Sequence, residues 1–89
     1  FFGYTMPHMV KSLHTEDYGH FRVLLTEVRR RSGMTQAELS AKLGRPQSFV
    51  AKYEGGERRL DVVEFLLVCE ALGVDPVELF AEFHRGVRG

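Results

Sequence analysis

The 89 residues include one cysteine, three prolines and no tryptophan. Each scarcity excludes something. A lone Cys69 cannot close an intramolecular disulfide and fits a reducing cytoplasm. It lies in an apolar helical run, where a buried, inert thiol is expected rather than a reactive one. No apolar run approaches the ~20 residues that a membrane-spanning helix needs. The first residues lack the basic-then-apolar pattern of a secretion signal. A cytoplasmic protein with no membrane partner is therefore expected. The four histidines, His8, His14, His20 and His84, make no i, i+4 pair with another ligand and no Cys/His cluster, so neither a metal nor another cofactor is expected. There is no phosphate loop, no pair of carboxylates in an apolar setting and no nucleophile motif. Ser48 has no histidine near it in sequence. An enzyme is not expected.

What is present points to one small all-α domain. Hydrophobic residues make up 44% of the chain, an ordinary share for a globular protein. At this length only about two-thirds of the unfolded surface can be buried, so the core is modest. The net charge is zero, but it is unevenly placed. Residues 29–59 carry eight basic side chains against three acidic ones, a net of +5, and the remainder carries four against nine, a net of −5. A polarised domain of this kind can offer one face to phosphate and turn the other away. A mixed, merely solvated surface is the blander reading, and the coincidence of the positive charge with the motif below weighs against it.

That motif is TQAELSAKLGRPQSFVAKYE, Thr35 to Glu54. Thr35 and Glu38 have the spacing of a capping box, which starts a helix. Leu39 and Leu43, four apart, share its inner face. Ala41 is small, as a close helix crossing would need. Gly44 can adopt the left-handed conformation that stops the helix, and Pro46 suits the first turn of the next. Val50 and Tyr53 then face inward with Phe49. Gln47, Ser48, Ala51 and Lys52 are left on the outer face, with chemistry suited to base edges and phosphates. A helix, tight turn and helix of this kind can set the second helix in a DNA major groove.

Flanking segments complete a five-helix reading without strands. Asp17 is the expected cap of a first helix that runs to about Ser32. It carries Phe21, Leu24 or Leu25, and Val28 on its apolar stripe, with Gly33 as its stop. Gly55-Gly56 begins a loop whose charged rim is Glu57-Arg58-Arg59, and both arginines are placed for phosphate. Asp61 with Glu64 makes a second capping box ahead of VVEFLLVCEALG, which is apolar nearly all round and so calls for burial on more than one side. It reads either as the central core helix or as a contact to another subunit. Asp75-Pro76-Val77-Glu78 opens a fifth helix. Val77, Leu79, Phe80 and Phe83 supply more apolar surface than a small core needs, and Leu67, Val77, Phe80 and Phe83 are assigned to a homodimer interface. Residues 1–8 read as a tag left by cloning, since His8-Met9 has the look of a restriction-site scar. A native arm that docks on a partner subunit is the other reading. Residues 9–17 are an N-terminal arm, 18–84 the helix-turn-helix domain and 85–89 a tail.

RRRSGMTQAELSAKLG, QSFVAKYEGGERRLDVVEF and ALGVDPVELF together resemble the lambda-repressor/Cro-like helix-turn-helix regulators, the XRE family, over roughly Phe21 to Phe80. The resemblance implies a compact lambda-repressor-like fold and double-stranded DNA as partner. It implies that Gln36, beside Thr35, clamps a phosphate and that Gln47 and Ser48 read bases. Gln suits this, because its amide can both donate to and accept from adenine. Lys52 falls on a further contact position, with Ala51 near enough to touch a thymine methyl. Arg29 and Glu54 occupy the places of a structural ion pair. Two positions depart from the family pattern. Arg45 stands where an apolar residue is common, which would turn it outward to phosphate, and Pro46 stands where a Ser or Thr cap is frequent.

The function expected is a bacterial or phage-type transcriptional regulator, a repressor, binding a near-palindromic operator as a homodimer. An antitoxin or accessory module is the alternative, its acidic, apolar C-terminal half binding a partner protein. A relic that only dimerises is a third reading, disfavoured by the intact Gln36 and Gln47.

Overall fold

The computed structural model describes the backbone of residues 7–88 and the side chains of residues 16–88. Residues 1–6, most of the segment read as a tag, lie outside the described residues. Five helices follow one another: α1 Pro7–Arg31, α2 Gln36–Lys42, α3 Phe49–Glu54, α4 Val62–Leu72 and α5 Pro76–Arg88, with no strand among the described residues. The all-α, five-helix expectation holds. None of these helices is long and apolar enough to cross a membrane.

Local chemistry explains most of the helix ends. Thr35 Oγ1 accepts from Glu38 N–H at 3.0 Å, while the Glu38 carboxylate accepts from Thr35 N–H at 2.9 Å. Asp61 and Glu64 do the same ahead of α4, at 2.8 and 3.0 Å. Each box satisfies two backbone donors that a helix start otherwise leaves open. Between α2 and α3 the chain reverses at Gly44, whose φ of 68° is left-handed and disfavours any side chain. At the start of α5, Pro76 follows Asp75, whose carboxylate accepts from Val77 N–H at 2.9 Å.

One boundary differs from the sequence reading. Asp17 does not cap α1. It lies within a helix that starts at Pro7 and includes the stretch read as an arm. Proline suits a first turn, and nothing between Pro7 and Asp17 is a proline or glycine that would interrupt the helix. The Asp17 carboxylate accepts instead from Arg88 Nη2 at 3.3 Å, an exposed link between α1 and α5.

The core draws on every helix: Leu24, Leu25 and Val28 from α1, Leu39 from α2, Phe49, Val50 and Tyr53 from α3, Phe65, Val68, Cys69 and Leu72 from α4, and Leu79 from α5. Full burial of a side chain such as Leu25 or Leu39 stabilises the fold by about 1.5–3 kcal/mol. Cys69 is fully enclosed, and burial pushes its thiol up to about 11, as expected of an inert structural cysteine. Beside the core, Phe21 packs against Phe65 and Phe83 with ring centroids 5.6 and 5.3 Å apart. Phe83, assigned from sequence to a dimer interface, thus directs its ring largely into its own protomer. Tyr18 joins this cluster, and its hydroxyl accepts from Leu60 N–H at 2.9 Å, tying the loop before α4 to α1.

Candidate nucleic-acid interface

The close approach of α2 to α3 depends on Ser40. Its side chain is fully buried, and its Oγ accepts from Val50 N–H at 3.1 Å. Ala41, chosen from sequence for this role, is exposed. Helical phase explains the difference. Ala41 stands two residues from both Leu39 and Leu43, which at 3.6 residues per turn is the far side of the helix. Ser40 lies beside the inner face, and its hydroxyl is small enough to fit there. It also supplies an acceptor for an N–H at the start of α3 that has no partner within the helix.

After Gly44 the chain makes a further tight turn, in which Phe49 N–H donates to Pro46 O at 2.9 Å. Gln47 and Ser48 lie in this turn, and α3 proper begins at Phe49. They therefore precede the second helix rather than occupy its first turn. Ser48 takes the capping position and its backbone carbonyl accepts from Lys52 N–H at 2.9 Å, but its side chain makes no capping bond, so the hydroxyl is not committed to the helix start. Gln47, Ser48, Ala51 and Lys52 are all exposed, whereas Phe49, Val50, Tyr53 and Glu54 are buried. The division between outward and inward residues is complete over this short helix.

A buried network holds the C-terminal end of α3. Glu54 accepts from Arg29 Nε at 2.7 Å and Nη2 at 3.0 Å, a two-pronged pair with side chains only 5% and 8% exposed. The Glu54 bond is the main reason the Arg29 guanidinium holds its proton even more firmly than usual, against the opposing effect of burial. Arg29 also donates to Met34 O at 2.7 Å, and Arg22 Nη1 to Glu54 O at 2.7 Å. Gln36 Nε2 donates to Glu54 Oε1 at 2.8 Å. The side chain expected to clamp phosphate is thus oriented by the same carboxylate that anchors α3, with one amide hydrogen left over.

The basic residues of the segment fare unequally. Arg45 and Arg58 both pair with Glu64, at 3.5 and 3.1 Å, and both guanidiniums stand over the Phe49 ring, at 4.8 and 5.0 Å from its centroid. Arg45 does not point simply outward, as the sequence reading expected. Arg59 stacks on Tyr18 at 4.2 Å, toward α1 and not toward α3. Of the eight basic residues that give the segment its sequence-level charge, Arg29, Arg45 and Arg58 have acidic partners. The positive character of this face is correspondingly smaller than the sequence count. The Glu64 partnership is the feature that sequence reasoning missed. Its signal was present, since Glu64 closes the second capping box, but nothing local pairs it with a residue 19 positions away.

Beyond the loop that carries Arg59, α4 and α5 expose apolar side chains. Val62, Leu66, Val77 and Phe80 are between 44% and 75% exposed. They border an apolar groove of about 600 Å³ whose floor includes Phe21, Phe65 and Phe83. Leu67 is also exposed but borders a different hollow, beside Leu43 and Phe49. The four residues assigned to a dimer interface therefore do not form one surface.

Residues 20–82 match a family described as a helix-turn-helix domain. The fold is similar to an XRE-family like protein from Pseudomonas syringae pv. tomato str. DC3000, with 47% identity and a TM-score of 0.83 over 86% of this chain and 94% of that one. It is also similar to the restriction-modification controller protein C.AhdI from Aeromonas hydrophila, with 34% identity and a TM-score of 0.68 over 75% of this chain and 97% of that one. An uncharacterised HTH-type transcriptional regulator of Sinorhizobium fredii, y4dJ, is 38% identical over 52 residues, which are 58% of this chain and 68% of that protein.

Proposed function

The chain belongs to the XRE-like helix-turn-helix transcriptional regulators, and from that premise we propose that it is a repressor that binds a near-palindromic operator as a homodimer. One observation carries the reading. The exposed row of Gln47, Ser48, Ala51 and Lys52 runs from the turn before α3 onto α3 itself, whose every inward residue is engaged in the core or the Glu54 network. Gln47 and Ser48 read base edges, Ala51 meets a thymine methyl, and Lys52 reaches a base or a phosphate. Thr35 and Gln36, at the start of α2, hold the backbone, and Arg45 and Arg58 add what Glu64 leaves them. Arg59, turned to Tyr18, has the weakest claim to a phosphate.

Two copies pair through the face of Val62, Leu66, Val77 and Phe80. A second copy covers it best, because a two-fold arrangement lets one apolar patch serve both partners. It would also present two reading elements to half-sites about one helical turn apart.

Selection from random duplex DNA tests the reading. Enrichment of a two-fold motif is expected, with affinity falling steeply as salt rises. Gln47→Ala then weakens the selected site by about 1–3 kcal/mol and leaves random duplex nearly untouched. Equal loss on both would remove Gln47 from base reading, and no enrichment at all would remove the operator.

A further inference from the structure

The two arginines nearest the entrance to α3 are engaged from behind. Glu64 Oε1 and Oε2 accept from Arg58 Nη1 and Nη2 at 3.1 Å each, and Oε2 lies 3.5 Å from Arg45 Nη1. Glu64 is only 9% exposed and is fixed in place by Asp61 N–H. The Arg45 and Arg58 side chains, by contrast, are 38% exposed. The Phe49 ring lies against both guanidiniums. A buried carboxylate thus sits behind a pair of cations whose outer edges face solvent. Glu64 stays ionised at neutral pH, because the Arg58 hydrogen bond and then the Asp61 N–H hold it below the usual carboxylate range. A phosphate that approaches either arginine therefore meets a cation already partly neutralised, and feels the carboxylate behind it as repulsion.

We propose that Glu64 is a positioning residue for DNA binding: it holds Arg45 and Arg58 back from the phosphate backbone and so limits the affinity that is independent of sequence. The inference rests on the reading that this face binds DNA. It gives the second capping box a use beyond starting α4, because the glutamate that closes the box is also the one that governs two cations beside α3. Discrimination then depends more on Gln47 and Ser48, since less of the total affinity comes from contacts that every sequence offers.

Glu64→Gln tests this. Its amide oxygen can still accept from Asp61 N–H, so the cap survives, and unfolding curves check that the fold does. Binding is measured across salt concentrations on a random-sequence duplex and on the selected site. The variant is expected to bind random duplex roughly three- to tenfold tighter at low salt, with the log–log salt slope steeper by about 0.9 for each phosphate gained. The selected site gains less, so discrimination falls, and adding Arg58→Gln abolishes most of the gain. A folded variant with an unchanged or shallower slope, or with weaker binding to both duplexes, overturns the proposal. If the variant does not fold, Arg58→Gln alone decides. It leaves the wild-type slope nearly unchanged if Arg58 is withheld, and a drop of about 0.9 overturns the idea. Wild-type protein that binds no duplex would remove the DNA reading together with this inference. Wild-type binding that Glu64→Gln leaves unaltered would remove this inference alone.

Discussion

Around α2 and α3 many polar groups are paired in defined directions, although the buried Tyr53 hydroxyl has no partner among the described residues. Arg29 grips Glu54 with two bonds, Glu54 orients Gln36, Ser40 receives Val50 N–H, and Glu64 holds Arg45 and Arg58. Along α4 and α5 the outer surface carries exposed apolar side chains, Val62, Val63, Leu66, Val77 and Phe80 among them, which can make no such ties. The two regions do different physical work. Hydrogen bonds and ion pairs are directional, so they fix an angle. Apolar burial is non-directional, so it fixes proximity and tolerates variation in shape. A surface that must match the spacing of base edges needs the first kind. A surface that must only meet another copy of itself can use the second.

Substitutions should separate the two regions sharply. Arg29→Ala, which leaves the Glu54 carboxylate buried and unpaired, is expected to destabilise the fold by about 3–5 kcal/mol. Urea unfolding would show it, and a loss below about 1 kcal/mol would mean that water reaches Glu54 and the network is looser than its geometry. Ser40→Ala leaves Val50 N–H without an acceptor and is expected to lose about 1–3 kcal/mol. Ser40→Gly would lose at least as much, whereas a neutral Ser40→Ala would show that packing alone joins α2 to α3. Phe80→Asp should do least to the protomer, changing its unfolding by about 0.5 kcal/mol or less, as is usual for exposed positions. It should nonetheless make the protein monomeric in sedimentation at micromolar concentration. Dimers that survive it would move the interface elsewhere, with the Leu67 side of α4 the next candidate.

The same division decides what could be read from the sequence. The capping boxes at Thr35 and Asp61, the reversals at Gly33 and Gly44 and the inward row of Leu39, Val50 and Tyr53 were all legible. Each depends on residues within one or two turns of each other, where spacing determines geometry. The start of α1 was missed because a good cap residue in mid-chain looks like a beginning, whereas the helix starts ten residues earlier, at Pro7. The Ser40 role was missed because a polar side chain was not credited with a core position, although helical phase favoured it over Ala41. The pairing of Glu64 with Arg45 joins residues from separate elements, and no local pattern encodes it. Much the same holds for the apolar surface. Composition indicated an excess, but only the packing showed that Phe83 turns inward while Val77 and Phe80 stay out.

The strict partition of α3 and the turn before it has a consequence for how such a protein can change over time. The residues that build the scaffold, Phe49, Val50, Tyr53 and Glu54, and those that face outward, Gln47, Ser48, Ala51 and Lys52, share no member. An altered outward side chain therefore leaves the molecule's architecture untouched. If those outward residues read bases as proposed, a lineage carrying this domain could rewrite its preferred DNA word letter by letter, each intermediate still folding, while its inherited framework stayed the same.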